Sequence, residues 1–122
     1  MAEKKFAILL NADKTSVGPA ANGLEYALDL DDAGYTAEVY FDGAATEWPA
    51  VLDRKPDNPV NKYFNEAVER GLIGGACGYC ANAFGVYDDV DEAGVELLGG
   101  RENHGPDVGA LVSEGYELIT VG

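Results

Sequence analysis

Short apolar runs alternate along this chain with longer segments of helical period, and Pro and Gly punctuate the joints. Four runs predict strands, at residues 5–10, 37–41, 72–76 and 117–121, and a weaker run at 95–98 predicts a fifth. Three helices, predicted over 19–34, 59–71 and 106–115, share one device: a polar residue or Gly, then Pro in the first turn, then Gly at the end. In the second, Val60, Tyr63, Phe64, Ala67, Val68 and Leu72 recur at three and four, the stripe of a helix packed on a sheet. Asn58 is placed to cap its start. The first helix carries a narrower stripe of Ala20, Leu24, Ala27 and Leu28. Asp29, Asp31 and Asp32 crowd its C-terminal end, where each opposes the helix dipole by roughly a few tenths of a kcal/mol.

Strands separated by helices, with runs such as Phe6-Ala7-Ile8-Leu9-Leu10 apolar on both faces, predict an α/β fold. The expected architecture is a three-layer, doubly wound sandwich: a central, mostly parallel sheet of four to five strands with helices on both faces. The 122 residues predict a single domain spanning 1–122, long enough to bury roughly two-thirds of its extended surface without staples. Residues 42–58 have no clear period and predict a long loop, carrying Trp48, Pro49, Arg54 and Lys55. Ligands of such sheets bind beyond the carboxyl ends of the strands. The working edge is therefore expected at 11–18, from Asp42 onward, at 77–80 and at 99–105.

Charge narrows the partners. Eight Lys and Arg against 22 Asp and Glu give a net charge of −14, which repels a phosphate backbone and an anionic bilayer. Neither nucleic acid nor membrane is an expected partner. The acids are spread along the whole chain, a composition that resembles the cytosolic proteins of extreme halophiles. Such surfaces stay hydrated in concentrated salt, where repulsion is screened within about 3 Å at 1 M. The longest apolar runs are far short of a bilayer span, so the chain is expected to be cytoplasmic, with its two cysteines reduced.

Both cysteines lie in one window, Cys77-Gly78-Tyr79-Cys80, which leaves a predicted strand and enters a short helix. At a helix N-terminus a thiolate is favoured and the pKa of a cysteine can fall well below about 8.5. Cys80, three residues on, shares that face and can resolve a disulfide or persulfide formed on Cys77. The plainer alternative is two small apolar residues packing a tight turn. Cys-x-x-Cys also supplies half of a tetrahedral zinc site. The second pair is missing, and nothing in the spacing requires His104 and a carboxylate to complete the set, so no metal or other cofactor is expected.

His104 is the single histidine, placed before a helix on the working edge where it can exchange protons with a thiol or serve merely as an exposed loop residue. Asn11, Asp13, Lys14, Thr15 and Ser16 can bind a small anion or form an ordinary turn. Asn11, Ser16, Gly78 and Tyr79 are the expected ligand-binding positions. Trp48 and Tyr63 are expected in the core or at subunit contacts. No Gly-x-Ser-x-Gly elbow, Walker loop or Gly-x-Gly-x-x-Gly follows the first strand, so neither serine acyl transfer nor nucleotide hydrolysis is indicated.

The order of elements, with Cys77 closing a mid-chain strand before a Gly- and Ala-rich helix, resembles the DsrE-like family of small α/β proteins. The resemblance covers nearly the whole chain. It is carried by residues 5–11, by the segment from Ala76 through Cys77, Gly78, Tyr79 and Cys80 to Gly85, by His104-Gly105-Pro106, and by the closing residues 114–121. It implies a flavodoxin-like sandwich, a homo-oligomer (trimer or hexamer), and a persulfide carried on Cys77 between sulfur donor and acceptor proteins. Cys80 departs from a single-cysteine relay and leaves open sulfur transfer, thiol redox work or loss of the chemistry. The expectation is a persulfide carrier with Cys77, Cys80 and His104 catalytic. Its alternative is a non-catalytic assembly or small-ligand-binding protein with structural cysteines.

Overall fold

Burial on both faces shapes the first strand. In the computed structural model, which describes residues 4–122, Ala7, Ile8 and Leu10 are fully buried, although they point alternately to opposite sides of the sheet. The elements run β1 (Lys5–Leu10), α1 (Val17–Asp32), β2 (Thr36–Phe41), a 3₁₀ turn (Gly43–Glu47), α2 (Trp48–Arg54), α3 (Val60–Glu69) and β3 (Ile73–Cys77). They continue with α4 (Gly78–Ala83), α5 (Tyr87–Glu92), β4 (Leu97–Leu98), α6 (Val108–Ser113) and β5 (Tyr116–Val121). The five strands form one all-parallel sheet in the order β4-β3-β2-β1-β5. This is the predicted α/β class.

The two faces are unequally covered. Ile8, Leu10, Val39 and Phe41 pack with Ala20, Leu24 and Ala27 of α1 and with Val60, Phe64 and Ala67 of α3. Trp48, Leu52, Ala81 and Val90 join the same core, so α1 to α5 all serve one face. The other face holds a smaller cluster of Ala7, Leu9, Tyr40 and Leu111, the last from α6, with Leu98 and Tyr116 against it. Connectivity explains the asymmetry. The steps from β1 to β4 all move in one direction, and right-handed crossovers put their connections on one side; the return to β5 reverses direction and carries α6 to the other.

The predicted loop at 42–58 is instead largely helical, forming the 3₁₀ turn and α2. Trp48 is wholly buried and its indole N–H donates to the Ala12 carbonyl at 2.9 Å, which pins the segment to the end of β1. Asn61 closes it by donating to the carbonyls of Leu52 and Lys55 at 2.9 and 3.0 Å. Seven residues make too few turns to register as a period, and α5 escaped prediction for the same reason. Val95 to Leu98 shrinks to a two-residue strand, and α6 starts at Val108 rather than Pro106, with Asp107 accepting the Ala110 N–H at 3.1 Å. The cap position of α3 is Pro59 rather than Asn58, whose side chain, one residue earlier, accepts the Val60 N–H at 3.0 Å. Gly34, Gly71 and Gly115 end their helices at φ of +90°, +71° and +92°.

The acids crowding the end of α1 have a partner that sequence spacing did not show. Arg70, just past α3, reaches Asp31 at 3.1 Å, Asp32 at 2.8 Å and Glu66 at 3.0 Å, tying α1 to α3. Among the described residues no helix is long and apolar enough to cross a membrane.

Candidate thiol site

Two strand ends, those of β3 and β2, and the loop after β4 converge on the cysteines. β3 terminates in Cys77, whose backbone is still extended, and the chain turns at once into α4. The Cys77 Sγ accepts the backbone N–H of Cys80 at 3.4 Å, so the first cysteine itself caps the helix carrying the second. β2 ends at Phe41, which delivers Asp42 to the neighbouring strand end; its Oδ1 accepts the Gly43 N–H at 2.9 Å and faces the Cys80 thiol at 3.5 Å.

His104 arrives on the loop after β4. Its Nδ1 lies 3.4 Å from Cys77 Sγ and 3.7 Å from Cys80 Sγ, and the Tyr79 ring packs on the imidazole at 4.3 Å between centroids. Two features hold this loop in place. Gly78 lets it approach, because a Cβ there would stand 2.1 Å from the Gly100 carbonyl oxygen. Arg101 then clamps it: the guanidinium lies 3.9 Å over the Tyr87 ring and donates to Asn82 at 3.0 Å and Asp88 at 2.8 Å, gripping α4 and α5. The Tyr79 N–H adds a bond to the Asn103 carbonyl at 3.3 Å.

Burial separates the two thiols. Cys77 is 0% exposed, whereas Cys80 is partly buried and His104 is exposed. The cysteine on which the resemblance places the persulfide is thus the buried one, and the sulfur nearer solvent is Cys80. Burial, together with the Cys77 sulfur beside it, pushes the Cys80 thiol up to about 12, so it rests protonated as a donor toward Asp42. The sulfurs and Nδ1 all lie within 4.8 Å of one another. A disulfide requires the sulfurs to close to about 2.05 Å, a short movement for residues three apart.

Comparison with protein-family models, curated proteins and solved structures returns no match for this chain.

The other expected positions divide. Tyr79 belongs to the site through His104, and Gly78 serves it sterically. Ser16 turns away into a local network: with Thr15 it bonds the Asp13 carboxylate, whose pKa those bonds lower. Asn11 donates to its neighbour Leu9 at 3.4 Å and sits near Gly43, next to the site without touching a sulfur in the recorded contacts. The winding direction reverses between β1 and β5, yet the thiols gather two strands away, between β2, β3 and β4. Sequence reasoning did not single out Asp42. Its one legible signal is its place as the first residue after a predicted strand on the working edge. Arg101 gave no signal, since its partners lie on two other elements.

Proposed function

We propose that the chain is a small thiol protein in which Cys77 carries sulfane sulfur, the role that the DsrE-like resemblance implies, with Cys80 as the resolving thiol and His104 exchanging the proton. The contact of one imidazole nitrogen with both sulfurs, at 3.4 and 3.7 Å, carries this proposal. In the proposed cycle Cys77 attacks the outer sulfur of a donor persulfide; the new S–S bond forms as the donor's S–S bond breaks, and the donor leaves as a thiol. An acceptor thiol can take that sulfur and regenerate Cys77. Alternatively Cys80 attacks the inner sulfur, giving the Cys77–Cys80 disulfide and hydrogen sulfide, so that two thiols are oxidised as the sulfane sulfur is reduced. With its thiol pushed up to about 12, Cys80 rests protonated, so its attack requires His104 to take the proton as the new bond forms. Because Cys77 is buried under this contact, a donor reaches it only once the imidazole swings aside.

Donor and acceptor are protein thiols in this proposal, and a reducing cytoplasm suits the two free cysteines. The trimer or hexamer that the resemblance implies belongs to it as well. The thinly covered face, where Leu118, Val108 and Val112 are exposed, is where subunits would pack, and light scattering in concentrated KCl tests this; a monomer removes that part.

Incubation of the reduced protein with polysulfide should add one sulfur to the intact mass, and Cys77→Ser should abolish the adduct. Cys80→Ser should prolong its life by blocking resolution. The full burial of Cys77 favours the second reading, a binding or assembly protein with structural cysteines. Absence of sulfur uptake by the wild-type chain would overturn the first reading.

A further inference from the structure

We infer that Cys77, Cys80 and His104 form a three-ligand binding site for a zinc-class divalent cation. Zinc takes thiolate and imidazole ligands at about 2.3 and 2.0–2.1 Å in a tetrahedron, which puts neighbouring sulfur and nitrogen ligands about 3.5–3.6 Å apart. The Nδ1-to-sulfur separations here, 3.4 and 3.7 Å, bracket that value, and all three ligand atoms lie within 4.8 Å of one another. Asp42 Oδ1 lies 3.5 Å from Cys80 Sγ but stands outside that trio, which leaves the fourth position to solvent.

The surroundings resemble those of a metal site in three respects. Cys77 Sγ already takes an N–H bond from the Cys80 backbone, which stabilises a ligating thiolate. The imidazole is oriented by the Tyr79 ring. Cys77 closes the buried side while His104 leaves the site open to solvent for entry. Two sulfurs and one nitrogen select a borderline-soft ion over magnesium or calcium, which prefer oxygen. The net charge of −14 draws cations toward the chain. Binding involves no redox step: both thiols release their protons to solvent and the two sulfurs donate to the metal.

This goes beyond the thiol cycle and does not depend on it, because binding is measured on reduced protein free of sulfane sulfur. The experiment is titration of the full chain with Co²⁺ in concentrated KCl, followed by Zn²⁺. One Co²⁺ per chain is expected, with thiolate-to-cobalt charge-transfer absorption and the intense visible bands of a tetrahedral ion, all displaced by Zn²⁺. Cys80→Ser and His104→Gln, both on the open side of the site, should each weaken binding by more than about 100-fold, beyond what loss of an outer partner gives. Circular dichroism checks that each variant folds, and if Cys80→Ser does not, His104→Gln decides alone. Lack of charge-transfer absorption in the folded wild type, or a His104→Gln variant that binds Co²⁺ as tightly as the wild type, overturns the inference.

Discussion

Gly78 and Gly100 meet so closely that no other residue type fits at the first position: a Cβ on Gly78 would lie 2.1 Å from the Gly100 carbonyl oxygen and 2.8 Å from that of Leu98. This contact brings the His104 loop down onto the cysteines. The obstructing atoms are backbone and cannot rotate away. Gly78→Ala should therefore displace the loop, cost about 1–3 kcal/mol in urea unfolding, and separate His104 from both sulfurs. The check is chemical denaturation combined with alkylation rates of Cys77 in the native state. Wild-type stability and reactivity would show that the loop is not held this way.

Arg101 holds the same loop from outside, over Tyr87 and onto Asn82 and Asp88. Its side chain and that of Asp88 are exposed, so Arg101→Ala should lower stability by no more than about 1 kcal/mol. Alkylation of metal-free Cys77 should nevertheless accelerate, because the loop carrying His104 opens more often. Peptide mass mapping over time measures this, with circular dichroism as the control. An unchanged alkylation rate would assign the covering of Cys77 to other contacts.

On the second face of the sheet, Glu38 accepts the hydroxyls of Tyr40 and Tyr116, the latter at 3.1 Å. Burial first, and then the Glu38 carboxylate, raise both phenols above the ordinary value of 10.0. A raised pKa means the folded state holds these protons more tightly than the unfolded chain. The stability it reflects is complete below pH 10 and is lost as pH rises through the folded-state values. In an absorbance titration two of the seven tyrosines should ionise last, together with unfolding, and Glu38→Gln should bring Tyr116 earlier. Seven tyrosines titrating as one class would contradict this.

Few basic groups offset the acids. Arg70 ties three of them, and Lys14, Arg54 and Arg101 hold Glu47, Asp89 and Asp88, at surface sites where each pair contributes little. With a net charge of −14 the folded chain should gain stability steeply as salt rises to molar concentration, where screening reaches about 3 Å. Thermal unfolding midpoints across a KCl series test this. A midpoint indifferent to salt would count against selection for concentrated brine.

Residues 5–10 read as a strand from sequence because a stretch apolar on both faces suits only a strand covered on both sides, and the glycines ending α1, α3 and α6 marked three boundaries. Those signals are local: periodicity, caps and Pro–Gly punctuation act within a few residues, so class and most elements follow from the chain alone. Cys77 and Cys80 were legible as a pair for the same reason, being three residues apart on one turn. His104, 27 residues from Cys77, was one loop histidine among alternatives until the fold brought it to 3.4 Å. Asp42 comes from 35 positions before Cys77 and reaches Cys80 only because β2 and β3 lie side by side. The helix at 48–54 depends on Trp48 finding Ala12, a contact 36 residues distant. Local chemistry determined what the strands, most of the helices and the thiol pair would be. The order of strands, the uneven covering of the sheet and the company the thiols keep were decided by tertiary packing, because those depend on burial and contacts between segments that no short-range pattern encodes.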